Sequence, residues 1–249
     1  MRIIAKLDVK PPQVVKPVHF EGLRKIGAPG DLAYKYYEQG ADEIFYIDIV
    51  SSLYRREILF DLISDTAKRI LVPFAVGGGV HTTDDFSRLF HHGADKVVMN
   101  TGAHEDPSRI DAAAKIFGGQ SVVVNIEAKQ VRENGWECYT DCGRIPSGRD
   151  VVLWAKEVEA RGAGEILLQS VDCDGRQRGF DIELVKAVVG AVNIPVVASS
   201  GAGTLQDILN VAQQAAPSGI ALASVLHYDK TTIGDVKRFL IEHGVEVAV

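Results

Sequence analysis

Short runs rich in Val, Ile and Leu alternate along the chain with longer stretches whose apolar residues recur at helical spacing. The runs are Ile3–Leu7, Glu43–Ile49, Val72–Val76, Lys96–Met99, Val122–Ile126, Glu165–Leu168, Ile194–Ala198 and Gly219–Leu222, and they predict eight strands. Between them Asp31–Glu38, Leu59–Lys68, Asp84–His91, Ser108–Ile116, Asp150–Glu159, Ile182–Val189, Leu205–Gln213 and Ile233–Glu242 predict helices. Parallel strands need a crossover, and a helix is the usual one. Eight such units close naturally into an α/β (β/α)8 TIM barrel, with an open doubly wound sheet as the competing arrangement.

The chain also repeats itself. Gly40-Ala41-Asp42-Glu43-Ile44 returns as Gly162-Ala163-Gly164-Glu165-Ile166, an offset of 122 residues. Val76-Gly77-Gly78-Gly79-Val80 corresponds at the same offset to Ala198-Ser199-Ser200-Gly201-Ala202, and Asp8 corresponds to Glu127. A near-constant offset of half the chain implies two four-stranded half-barrels, about 1–120 and 121–249, forming one barrel over 1–249. An open sheet has no reason to carry such a two-fold.

Composition narrows the functional classes. Hydrophobic residues make up 46% of the 249, enough for one large core, and the net charge of −6 argues against a nucleic-acid binder. No apolar run approaches a membrane span, and Met1 leads into Ile3-Ile4 without a signal-peptide layout, so the expected location is cytoplasmic. Cys138, Cys142 and Cys173 suit neither a disulfide scaffold nor a complete zinc site, so no metal is expected. Cys138 and Cys142 are expected in a loop.

In αβ barrels the chemistry sits at the C-terminal ends of the strands. Asp8 and Glu127 end the first and fifth predicted strands and should face each other across the mouth. Two opposed carboxylates suit proton transfer if their surroundings separate their pKa values. Gly77-Gly78-Gly79 after the third strand and Ser199-Ser200-Gly201 after the seventh leave backbone N–H groups open to an anion. Asn100-Thr101 and Ala223-Ser224 add small polar groups beside them. Two such cradles on opposite sides imply a long substrate with a phosphate at each end. Asp174-Gly175, after the sixth strand, either lines this mouth or makes a tight turn.

These features lead to a resemblance. Leu7-Asp8-Val9-Lys10, Val14-Val15-Lys16, Val76-Gly77-Gly78-Gly79, Gly93-Ala94-Asp95-Lys96-Val97, Asn100-Thr101, Gly162-Ala163-Gly164-Glu165-Ile166-Leu167-Leu168 and Ser170-Val171-Asp172-Cys173-Asp174-Gly175 together resemble the cyclase subunit of imidazole glycerol phosphate synthase, from histidine biosynthesis, nearly end to end. The resemblance implies a lyase that takes ammonia from a glutaminase partner in a heterodimer. Its phosphorylated substrate, a ribulosyl-aminoimidazole carboxamide bisphosphate, becomes imidazole glycerol phosphate and aminoimidazole carboxamide ribotide, with no cofactor. It assigns acid–base roles to Asp8 and Glu127, and to Lys16 a place on a long loop that closes over the substrate. Phosphate contacts map to Gly79, Asn100, Thr101, Asp174, Gly175, Gly201, Ala223 and Ser224. Arg2, Glu43, Lys96 and Glu165 map to a charged gate for ammonia at the barrel bottom, and Asp95 to the docking face.

Several residues at the mouth depart from the cyclase pattern. Glu127 stands where aspartate is usual, Gln169 where threonine is, Val98 where serine is, and Pro11-Pro12 replaces an Asp-Gly turn. These departures open an alternative: a paralogue that passes ammonia to a sugar amidotransferase. The sister isomerase is a third reading.

Overall fold

Eight parallel strands close on themselves in the computed structural model, which describes residues 1–18, 21–51 and 58–248. In chain order the described strands are β1 (Arg2–Lys10), β2 (Gln13–Val18), β3 (Glu21–Gly27), β4 (Glu43–Asp48), β5 (Phe74–Gly77), β6 (Lys96–Met99), β7 (Val122–Arg132), β8 (Gly135–Thr140), β9 (Ile145–Asp150), β10 (Glu165–Ser170), β11 (Val196–Ser199) and β12 (Gly219–Leu222). The described helices are α1 (Pro29–Glu38), α2 (Phe60–Ala67), α3 (Thr83–His91), α4 (Thr101–Glu105), α5 (Ser108–Phe117), α6 (Val151–Ala160), α7 (Ile182–Val189), α8 (Leu205–Ala215), α9 (Ser224–His227) and α10 (Ile233–Glu242). The barrel runs β1-β4-β5-β6-β7-β10-β11-β12 and closes where β12 pairs with β1 in parallel. It is the (β/α)8 barrel that the alternation predicts.

Side-chain alternation along β1 explains the two apolar layers. Ile3, Ala5, Leu7 and Val9 face the helices and join the larger cluster. Ile4 faces the barrel axis and joins Phe45, Ala75, Val98, Val123, Leu167, Val197 and Ala221 in a separate inner cluster. Lys6 and Asp8 follow Ile4 at the two-residue period, so they too point into the barrel. Each fully buried aliphatic side chain contributes about 1.5–3 kcal/mol by leaving water.

The half-barrel repeat persists in detail. Thr82 and Thr204, 122 residues apart, each cap a helix through the N–H three residues on, at Asp85 and Asp207, whose carboxylates bond back. Asn100 (φ −133°, ψ −84°) and Ala223 (φ −132°, ψ −78°) hold nearly one conformation as they enter α4 and α9.

The structure adds to the predicted elements and corrects some. β5 and β11 begin after Pro73 and Pro195, later than the apolar runs, because proline supplies no N–H to a ladder. Asp8 and Glu127 do not end their strands: β1 continues to Lys10 and β7 to Arg132. Each long strand folds back into an antiparallel hairpin, β2–β3 after β1 and β8–β9 after β7. Cys138 consequently lies buried in β8 and not in a loop. Among the described residues no helix is long and apolar enough to cross a membrane.

Candidate active site

Two cavities open at the C-terminal ends of the barrel strands, with about 580 Å³ and 330 Å³ of open space. The first is lined by Asp8, Gly78, Gly79, Asn100, Thr101 and Glu127 among others. The second is lined by Lys16, Asp174, Gly175, Ser199, Gly201, Ala223 and Ser224 among others. The sequence-derived candidates for the mouth thus divide between two chambers, and each chamber holds one glycine-containing cradle.

The cradles need glycine for steric reasons. Gly78 has φ +109°, and a Cβ there would lie 2.3 Å from the Asp48 carbonyl oxygen. Gly201 has φ +114°, and a Cβ there would lie 2.2 Å from the carbonyl oxygen of Gly179. Both positions demand backbone that side chains rarely adopt and space that no side chain can share. Asp174-Gly175 is both a turn and part of the mouth: Gly175 takes φ +68°, while Asp174 is 2% exposed and turned toward Lys16.

Lys16 is not on a loop waiting to close. Val9 pairs with Val14, and Val14 and Val15 are buried, so β2 docks against the barrel rim and carries Lys16 into the site. Its Nζ donates to Asp8 Oδ2 at 3.2 Å and to Asp174 Oδ1 at 3.0 Å. Lys6 Nζ donates to the other Asp8 oxygen, Oδ1. Burial alone would push the Asp8 carboxyl up, but the ammonium groups of Lys6 and Lys16 overrule it and hold the pKa down at about 2. Burial opposes the charge on Lys16 as well, yet Asp8 and Asp174 raise its pKa. Removing one partner of so buried a network would leave an uncompensated charge, which is where its cohesion lies.

Glu127 experiences the opposite balance. It is 5% exposed, accepts from the Gly143 N–H at 2.7 Å and accepts from Asn125 Nδ2 at 3.3 Å. Burial is the dominant influence and raises its pKa to about 7, against the lowering effect of the Gly143 hydrogen bond and the more distant Lys6 charge. One carboxylate is held as an anion at neutral pH and the other can exchange a proton near neutrality. That separation is what acid–base chemistry on two carboxylates requires.

The turn between β8 and β9 helps to shape Glu127. Asp141, Cys142 and Gly143 all have left-handed backbones, at φ +51°, +59° and +70°. Such conformations are costly for non-glycine residues and persist where surrounding contacts enforce them. Here Asp141 N–H donates to Thr101 Oγ1 at 3.2 Å, the Cys142 thiol to the Ile49 carbonyl at 2.8 Å, and Gly143 N–H to Glu127.

At the opposite end of the barrel Arg2, Glu43, Lys96 and Glu165 form a closed ring of alternating charge. Arg2 pairs with Glu43 at 2.5 Å and with Glu165, and Lys96 pairs with Glu43 and Glu165 at 2.8 Å each. Burial raises the pKa of Glu43 in spite of the Lys96 charge beside it. Asp95 is exposed next to this ring, and its carboxylate accepts the Phe74 N–H at 2.8 Å. Asp42 does the same for Ile3 at 2.7 Å, so Asp95 has at least a structural duty in seating a strand.

Sequence reasoning missed Lys6, Asn125 and Asp48 in the first cavity. The available signal was the two-residue period: a lysine two positions before an inward aspartate must point inward too. Asp48 accepts the N–H groups of Val50 and Ser51 and forms the wall against Gly78.

Comparison with known proteins gives the family. The histidine biosynthesis protein family matches residues 2–232. Imidazole glycerol phosphate synthase subunit HisF from Pyrococcus furiosus is 48% identical over 248 residues, covering 99% of this chain and 97% of that protein. The subunits of the same name from Thermococcus onnurineus, 46% identical over 99% of this chain and 97% of its own, and Prochlorococcus marinus, 47% identical over 99% and 98%, are similarly close. Such identity, sustained over nearly the whole of every chain, places this protein in the histidine biosynthesis family, alongside the HisF subunits of imidazole glycerol phosphate synthase.

Proposed function

We propose that the chain is the cyclase subunit of imidazole glycerol phosphate synthase. It joins ammonia to a bisphosphorylated ribulosyl-aminoimidazole carboxamide and releases imidazole glycerol phosphate and aminoimidazole carboxamide ribotide. The observation that carries this reading is the pair of chambers, each with its own cradle, the first of them lined by two carboxylates of opposite protonation preference. Gly78, Gly79, Asn100 and Thr101 hold one phosphate of the substrate. Asp174, Gly175, Ser199, Gly201, Ala223 and Ser224 surround the other, with Lys16 supplying the positive charge. Asp8, ionised at neutral pH before the reaction, accepts a proton from the nitrogen that becomes bonded to the substrate. Glu127, protonated part of the time at neutral pH, returns a proton to the departing nitrogen.

Ammonia comes from a glutaminase subunit docked at the barrel bottom beside Asp95, and the Arg2–Glu43–Lys96–Glu165 ring is its gate. This assignment is supported by the closed geometry of the ring and by the subunit designation of the relatives.

The test is direct. Purified protein given the bisphosphate and an ammonium salt yields imidazole glycerol phosphate, measured by chromatography. No turnover would sink the cyclase reading. In that event a sugar amidation role for the delivered ammonia becomes the better account, favoured by Glu127 and by Gln169, which bonds Asn125 at 2.9 Å inside the barrel.

A further inference from the structure

Among the described residues, Lys6 is the one that stands where the two chambers share a wall. It lines both cavities, is 2% exposed and rises from the inward face of β1 between Ile4 and Asp8. An ammonium group carries three N–H donors. Among the described residues its Nζ hydrogen-bonds to Asp8 Oδ1 alone, which leaves two donors for something else. Burying a lysine is costly, and an apolar residue of similar volume is often as good or better for stability. Lys16 pairs with the other Asp8 oxygen and also with Asp174, so the two lysines balance the two carboxylates, yet the contact with Asp8 engages only one of the Lys6 donors. A second buried ammonium, with donors unspent and facing both cradles, calls for a ligand.

We propose that Lys6 is a substrate-binding residue that joins the two chambers into one elongated site, donating hydrogen bonds to oxygen atoms in the middle of a ligand that carries a phosphate at each end. The inference deepens the proposed function by naming what reads the centre of the substrate. The cradles hold the ends of such a ligand whatever lies between them. Lys6 instead discriminates by the middle, favouring a chain that bears carbonyl, hydroxyl or ether oxygens over one that does not. Its neighbours limit the alternatives. Asp8 holds one donor, Gln169 Nε2 donates to Asn125 Oδ1, and Glu127 is engaged by Asn125 and Gly143, while Gln169 Oε1 is a buried acceptor without a partner among the described residues.

Calorimetric titration of wild type and K6M separates this role from simple neutralisation of Asp8. The probes are the bisphosphate of the proposed reaction and inorganic phosphate. A hydrogen bond from a charged donor is worth about 10- to 100-fold in affinity, and K6M should lose that much for the bisphosphate. Inorganic phosphate, which needs only a cradle, should bind within about 3-fold of wild type by the same scale. K6Q, which retains N–H donors and serves if K6M does not fold, should fall between the two. An unchanged bisphosphate affinity, or an equal loss for both probes, overturns the inference. Should wild type not bind the pathway bisphosphate, a tetra(ethylene glycol) bisphosphate and an alkanediol bisphosphate of matched length replace it. Wild type should then prefer the glycol and K6M should not, and no preference in wild type overturns the inference. Turnover failure alone counts against the cyclase reading and leaves the Lys6 result standing, since neither comparison depends on reaction.

Discussion

Asp8 and Glu127 line the same cavity from opposite halves of the chain, and their surroundings drive their ionisation apart. Asp8, between the ammonium groups of Lys6 and Lys16, is held at about 2, while the buried Glu127 rises to about 7. If Glu127 is the proton donor, the active fraction is the protonated one. The profile of kcat/KM should therefore fall as pH rises through about 7, and E127Q should remove that limb along with most of the activity. A profile flat from pH 6 to 8, in units well spaced about that value, would remove Glu127 from the proton transfer.

The same shifts carry opposite consequences for stability. A carboxyl whose native pKa is raised favours folding at low pH, so the Glu127 contribution is present below its ordinary value and is lost as pH climbs to about 7. For Asp8 the native pKa is lowered, so its contribution is present above its ordinary value and disappears as pH falls toward 2. Thermal melts of wild type and E127Q should accordingly diverge between about pH 5 and 7, with E127Q gaining relative stability as pH increases. Parallel curves across that window would contradict the burial of an ionisable group at this site.

Replacing Asp8 by Asn leaves Lys6 without its carboxylate and Lys16 with Asp174 alone. Breaking a buried ion pair by removing one partner costs about 3–5 kcal/mol. D8N should lose activity and also lower the midpoint of denaturant unfolding with little change in slope. Wild-type turnover in this variant would exclude Asp8 from the reaction.

G78A and G201A test the two cradles independently. In each a methyl group would enter space occupied by a backbone carbonyl, at a φ above +100°. Backbone strain of this kind costs on the order of 1–3 kcal/mol, and the clash adds to it. Both variants should bind the bisphosphate more weakly and melt earlier, which titration and calorimetry would detect. A fully active G78A would mean that this cradle holds no phosphate.

The ring at the barrel bottom should matter for delivered ammonia and not for dissolved ammonia. E165Q removes the charge that both Arg2 and Lys96 contact. We expect turnover with ammonium salt to stay within about 3-fold of wild type, while glutamine-dependent turnover with the partner falls by more than about 10-fold. Equal losses with both nitrogen sources would assign the ring to barrel stability. Asp95→Ala is a poorer probe of docking, because it also removes the bond that seats Phe74.

The order of strands and helices, the closed barrel and the two-fold repeat were all legible in the sequence. They rest on local periodicity and on self-similarity, as in the equivalent threonine caps at Thr82 and Thr204. The two carboxylates and both cradles were legible for the same reason, since barrel strands deliver their C-terminal residues to one face. The hairpins were not, because residues such as Gln13–Val18 and Gly135–Thr140 become strands only by pairing with the long overhangs of β1 and β7. Nor could the sequence say that Lys6 would touch Asp8 and face both chambers, or that Lys16 would arrive already paired with Asp174, 158 positions away. Local pattern determines which way a side chain points. Which charges meet, and how far burial outweighs them, is decided only when distant strands close the barrel and exclude water.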